Sequence, residues 1–185
     1  MTILPREFYS KDTVTVAKNI LGKRIIRKIG RNEISGIITE TEAYGHNNDL
    51  ASHAFRKITD RNKIMFGDVG YAYVYFTYGM HFCFNVVAKD PKKAAGAVLI
   101  RAIKPEKGIN VMQKNRGNVN LKNLVNGPAK LAQALCITKE HYGADLTKKS
   151  RLYIAEGIKV KKMIASPRVG IVKAIDKMWN FKIII

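Results

Sequence analysis

Alternation of apolar and polar side chains is clearest between Tyr71 and Val87. Tyr71, Tyr73 and Tyr75 fall on one face of a strand, with Val74 and Phe76 on the other. His81 to Val87 returns after Gly79-Met80, so Tyr71–Tyr78 and His81–Val87 predict a hairpin. The run Ala97-Val98-Leu99-Ile100-Arg101-Ala102 predicts a buried strand with an arginine near its end. Lys23–Ile29 and Glu33–Ala43 predict two more strands around the turn Gly30-Arg31-Asn32. A helical period appears from Asp12 to Gly22: Asp12 or Thr13 can cap it, Ala17, Ile20 and Leu21 share a face, and Gly22 stops it. Pro105–Lys114 predicts a short helix, and Pro128–Leu135 another that starts on its proline. The basic stretch Lys148–Lys162 reads as turns and edge strands, and Arg168–Lys173 as a further strand. Strands fill the middle and helices flank them. The expectation is an α+β fold: a single mixed domain over residues 1–185 with a curved, mainly antiparallel sheet, flanking helices and a protruding β-hairpin.

Composition narrows the class. The 185 residues are 46% hydrophobic, enough for one proper core and short for two. Thirty-three Lys and Arg against fourteen Asp and Glu leave a net charge of +19. That balance points to a partner rich in phosphate, nucleic acid before anionic membrane. No apolar run approaches the ~18 residues of a spanning helix. The stretch Met1 to Glu7 has no secretory pattern, and the cytoplasm is the expected compartment. Cys83 and Cys136 are far apart, sit among apolar neighbours and form no CxxC, so both read as reduced core residues. His46, His53, His81 and His141 lack zinc spacing. No metal and no cofactor is expected.

Candidate chemistry gathers in two places. On a strand, Glu40, Glu42 and Tyr44 share a face, and His53 follows Tyr44 by nine residues. A solvated strand face explains the acids plainly. Yet the chain has few acids, and these stand beside Ile37 and Ile38, where a partly desolvated carboxylate near an arginine can serve as a general base. Alternating aromatics in a hairpin are more often cross-strand packing, but the three tyrosines also suit a slot that stacks a flat ring. At the tip, Tyr78, Met80 and His81 either pack under a neighbouring loop or form a wedge that enters stacked bases.

Together these segments resemble the 3-methyladenine DNA glycosylase family of the alkyladenine (methylpurine) type. The resemblance is carried by Glu40-Thr41-Glu42-Ala43-Tyr44 with its spacing to His53, Arg61-Asn62 with Met65-Phe66, and the hairpin Tyr73-Val74-Tyr75 to Tyr78-Gly79-Met80. It continues through Phe82-Cys83, Asn85, Leu99-Ile100-Arg101-Ala102, Asn126-Gly127-Pro128-Ala129-Lys130-Leu131 and Arg168-Val169-Gly170. It runs from about Phe8 to the C-terminus.

The resemblance implies roles. Glu42, rather than Glu40, would activate water, which Arg101 and the backbone carbonyl of Val169 would help to place. Tyr44, His53 and Tyr75 would line the pocket around an extruded base, and Asn85 on its floor would crowd the exocyclic amine of guanine. Tyr78 would fill the duplex in place of the flipped nucleotide, beside Met80 and His81. The expected partner is double-stranded DNA containing damaged purines, with no membrane and no obligate protein partner, and a monomer as the default. Arg61, Lys63 and the basic residues of Lys148–Lys162 are candidates for phosphate contacts. Tyrosine faces would favour a cationic alkylated purine by roughly 0.5–2 kcal/mol. No lysine stands out as a Schiff-base nucleophile. The segment Gly45 to Ser52 departs from the mammalian pattern, which weakens the transfer of substrate range more than that of chemistry.

These roles constrain the hairpin. A two-residue turn at Gly79-Met80 pairs Val74 with Asn85 and puts Tyr75 and Asn85 on opposite faces. A three-residue loop, Gly79 to His81, pairs Tyr75 with Asn85 and groups Val74, Phe76, Phe84 and Val86 on the other face. The longer loop, or a bulge, is expected.

Overall fold

A computed structural model describes residues 1–184. It is a mixed α/β structure built on a curved antiparallel sheet. The strands are β1 (Arg24–Ile29), β2 (Asn32–Tyr44), β3 (Ala72–Thr77), β4 (His81–Val87), β5 (Ala97–Lys107), β6 (Leu152–Ala155), β7 (Ile164–Ser166) and β8 (Asn180–Lys182). Four short helices accompany them: α1 (Arg6–Tyr9), α2 (Thr13–Asn19), α3 (Ile109–Asn115) and α4 (Pro128–Ala134). The sheet order is β3-β4-β5-β2-β1-β6, with β8 joined to β2 and β7 to β8. β2 is central because it is long. Its first half pairs with β1, its residues Glu40 to Glu42 pair with β8, and β5 follows its other edge. Register shifts between Ser35 and Gly36 and around Glu40 interrupt the β2–β5 ladder. Irregularities of this kind bend a strand and raise its twist.

Cross-strand pairing decides what shares a face. Tyr73 pairs with Asn85, Asn85 with Leu99, Leu99 with Glu42 and Glu42 with Asn180. Paired residues project to the same side, so this row crosses five strands on one face. The neighbouring positions Tyr75, Cys83, Arg101 and Glu40 lie two residues along and project the same way. The opposite face carries Val74, Phe84, Val86, Val98, Ile100, Ala43 and Phe181, which form the main core. α2 and its C-cap residue close that core with Val16, Ala17 and Ile20, all fully buried, and the Ala17 carbonyl accepts from the Thr41 hydroxyl at 2.7 Å. Apolar burial thus anchors one face and leaves the other for chemistry.

Several expected elements form as read. Asp12 caps α2 by accepting from the amides of Val14 and Thr15, and Pro128 opens α4. The hairpin loop has three residues, Tyr78 to Met80, with Thr77 opposite His81. This is one residue earlier than expected. Tyr75 therefore pairs with Cys83 and is diagonal to Asn85 rather than opposite it. The two registers differ by an even count, so Tyr75 and Asn85 still share a face. Tyr78 and Gly79 have φ of +52° and +66°, and the Met80 amide donates to the Thr77 carbonyl at 3.2 Å. Positive φ at both central positions matches the twist of the strands.

Three expectations need correction. Pro105 to Lys107 belong to β5, because this end pairs with Ser35 and Gly36 of β2, and the helix starts only after Gly108 at φ +66°. Arg168–Lys173 forms no strand: its backbone turns at Gly170 (φ +73°), and the Val169 amide goes to a side chain instead of a ladder. Cys136 is only partly buried, whereas Cys83 is buried, and both thiols are free. The Lys148–Lys162 stretch supplies β6, an edge strand as expected, at the opposite end of the strand order from the hairpin.

Candidate active site

Glu42 is fully buried near the C-terminal end of β2. Its Oε1 accepts from the Val169 amide at 2.7 Å and from Asn180 Nδ2 at 3.0 Å. Its Oε2 accepts from the Tyr44 hydroxyl at 2.9 Å and from Arg101 Nη1 at 3.2 Å. All four partners donate, which suits an ionised carboxylate, an acceptor only. Glu40 lies two residues back on the same face and accepts from Arg101 Nε and Asn180 Nδ2, each at 2.8 Å. Burial pushes the Glu40 carboxyl up, but the Asn180 and Arg101 hydrogen bonds and the charges of Arg101 and Lys182 outweigh it and hold it below its usual range. Arg101 is the mirror case. Burial lowers it, while Glu42 and Glu40 more than compensate and keep it raised. Arg101 therefore bridges both acids.

A cavity of about 300 Å³ opens in front of this group. That is the lower end of the range for small-molecule sites, and an aromatic lining with a few polar groups is their usual make-up. Tyr44, His53, Tyr73, Tyr75, Asn85 and Arg101 are on its wall, and the exposed Tyr78, Val169 and Gly170 also line it. Glu42 is not on the wall; three of the groups that hold it are. His53 is exposed at one edge, while its Nδ1 is 2.8 Å from the Tyr73 hydroxyl and its ring meets Tyr75 edge-on at 4.6 Å. Packing of its inner side, and then the Arg61 guanidinium, push its pKa down to about 4. The ring is neutral near pH 7. Burial raises the Tyr44, Tyr73 and Tyr75 phenols, so all three keep their protons. Asn85 is buried and spends its Nδ2 on the Tyr73 carbonyl at 3.0 Å.

The expected site residues sort as follows. Glu42, Tyr44, Arg101 and Val169 form one hydrogen-bonded group, and His53, Tyr75 and Asn85 join it across the cavity. The Val169 amide contacts Glu42, in addition to the role expected of its carbonyl. Tyr78 and Met80 are 84% and 66% exposed, with His81 exposed beside them, so the tip is not packed under a loop. Lys63 is exposed and pairs with Asp60 at 3.2 Å. Arg61 is exposed as well, and its guanidinium lies over the Tyr75 ring.

Two buried residues escaped the sequence reading as parts of the site. Arg168 and Asp49 make a bidentate pair, with both Nη–Oδ distances at 2.6 Å and side chains 0% and 1% exposed. Arg168 also donates to the Ala43 carbonyl at 2.9 Å, and Asp49 accepts from the Gly45 amide at 2.9 Å. The pair ties the loop after Tyr44 to the residue before Val169, so it sets two of the four donors on Glu42.

The Methylpurine-DNA glycosylase (MPG) family profile matches residues 7–184. The chain belongs to the methylpurine-DNA glycosylase family. Three curated relatives share the name "Putative 3-methyladenine DNA glycosylase". One from Carboxydothermus hydrogenoformans is 46% identical over 97% of this chain and 94% of its own length. One from Prosthecochloris aestuarii is 45% identical over 95% and 85%, and one from Methanocella arvoryzae 42% identical over 98% and 92%. A role as a DNA repair glycosylase, with DNA as the substrate, is the coarse function that membership supports. No helix among the described residues is long and apolar enough to cross a membrane.

Proposed function

We propose that this methylpurine-DNA glycosylase family member removes alkylated or deaminated purines from duplex DNA by hydrolysis and leaves an abasic site. The observation that carries the reading is a fully buried carboxylate, held by four donors, directly behind an aromatic slot. Burying a charge is costly. A binding module that used its aromatics only as a stacking platform would gain nothing from Glu42.

The damaged nucleotide would swing out of the duplex and seat its base between Tyr44 and the His53–Tyr75 pair. Extrusion costs a few kcal/mol, least for a damaged or mispaired base. Tyr78 would fill the vacated space and offset roughly 1–3 kcal/mol by stacking. Glu42 would then take a proton from a water that attacks the sugar C1′, while the bonding electrons of the N-glycosidic bond leave with the base. Its charge also favours the oxocarbenium-like sugar. Tyr44, Arg101 and Val169 stand between the carboxylate and the cavity, so one of them must yield its place to the water. The cavity lining contains no lysine, which supports a monofunctional enzyme with no strand cleavage.

Release of free base from duplexes bearing 3-methyladenine, hypoxanthine or ethenoadenine tests this reading. Glu42→Gln should still bind damaged duplex yet lose excision by about two to four orders of magnitude. Base release at the wild-type rate from that variant would end the assignment.

A further inference from the structure

Both tyrosines proposed to hold the base already carry a guanidinium. Arg168 lies 4.6 Å from the Tyr44 ring centroid and Arg61 lies 4.7 Å from that of Tyr75. Both rings are on the cavity wall, whereas neither arginine is among its lining residues. The two differ electrically. Arg168 is neutralised by Asp49 through two short hydrogen bonds. Arg61 stands exposed in the adjoining groove beside His53, Arg56, Lys57, Thr59 and Asn62. Its sequence neighbour Asp60 pairs with Lys63 instead. Among the described residues no carboxylate pairs with Arg61, and of the groove's cations it is the one seated on a ring of the slot.

A ring whose one face already meets a cation has a weaker negative face to offer to a second. The charge of Arg61 also acts directly, through a ring and a slot of lower dielectric than water. It acts on His53 in the same sense, by opposing its protonation. The attraction of bare tyrosine faces for a cationic purine is therefore opposed on the Tyr75 side.

We propose that Arg61 is a specificity-determining residue: parked over Tyr75, it disfavours purines made cationic by alkylation at N3 or N7 relative to neutral purine lesions. This rests on the excision reading above and deepens it. Arg61 does not touch the reacting atoms; it sets the ratio in which the slot takes charged and uncharged bases.

Single-turnover excision of 7-methylguanine (cationic) and hypoxanthine (neutral) from otherwise identical duplexes tests the proposal. In Arg61→Gln the ratio of the 7-methylguanine to the hypoxanthine rate constant should rise about tenfold over wild type. Arg56→Gln, which lacks the ring contact, should slow both reactions together and leave the ratio within about twofold. If Arg61→Gln slows both reactions and leaves the ratio unchanged, Arg61 is a phosphate contact and the proposal fails. Wild-type protein that releases neither base would instead remove the excision reading itself, a result distinct from an unchanged ratio.

Discussion

Glu42, Arg101, Asp49 and Arg168 are charges withdrawn from water within one small region, and each is held by an opposite charge. The Asp49–Arg168 pair is the most secluded, and its effect on Glu42 is indirect: it fixes the backbone from which the Val169 amide projects. Removing one partner of a buried pair costs about 3–5 kcal/mol because the other is left unpaired. Asp49→Asn should therefore lower the melting temperature by on the order of 10 °C for a chain of this size. It should also slow excision more than it weakens lesion binding, since the tip and most of the slot stay intact. Melting by calorimetry, with separate binding and single-turnover measurements, checks both. An unchanged melting temperature would contradict the clamp. Glu40 and Glu42 were legible together as acids close to Ile37 and Ile38 in a chain poor in acids, and the family resemblance pointed to Glu42. Asp49 was not, because its partner is 119 positions away and an aspartate between Asn48 and Leu50 reads as a turn residue.

At the scale of elements, the hairpin of β3 and β4 does two jobs. Its inner face supplies Tyr73, Tyr75 and Asn85 to the cavity, and its tip leaves Tyr78 in solvent. Since Tyr78 packs on little, Tyr78→Ala should change stability by no more than about 0.5 kcal/mol. Binding to lesion duplex should fall by roughly 1–3 kcal/mol, the worth of one stacked base. Equal affinities of wild type and variant would count against the wedge. The alternation of tyrosines made the faces of this hairpin readable, and an even slip left them correct although the loop was placed one residue late. Arg168–Lys173 misled because Val169, Ile171 and Val172 are β-branched residues of the kind that favours strands. The Arg168 side chain is drawn into the interior by Asp49, and the Val169 amide is spent on Glu42, so no ladder forms.

Over the whole molecule the net charge of +19 is the dominant long-range feature. It predicts that affinity for duplex DNA falls steeply with salt, with a log–log slope of about −0.9 per phosphate neutralised. A salt titration of binding measures this, and a flat response would exclude a phosphate-tracking surface. The residues that contact DNA are not read from charge alone. Arg61 lies over a tyrosine, Lys63 is paired, and the chain from Lys148 enters an edge strand at the far end of the sheet from the tip.

Local pattern alone determined the α+β class, the hairpin, most strand positions, the α2 cap and the acid–tyrosine strand, because these depend on side-chain periods and on neighbours a few residues apart. The tertiary structure alone decided the row from Tyr73 through Asn85, Leu99 and Glu42 to Asn180, the Asp49–Arg168 clamp and the seat of Arg61 over Tyr75. Those contacts join residues about a dozen to more than a hundred positions apart, and strand register and burial choose the partners, which the local pattern of side chains does not fix.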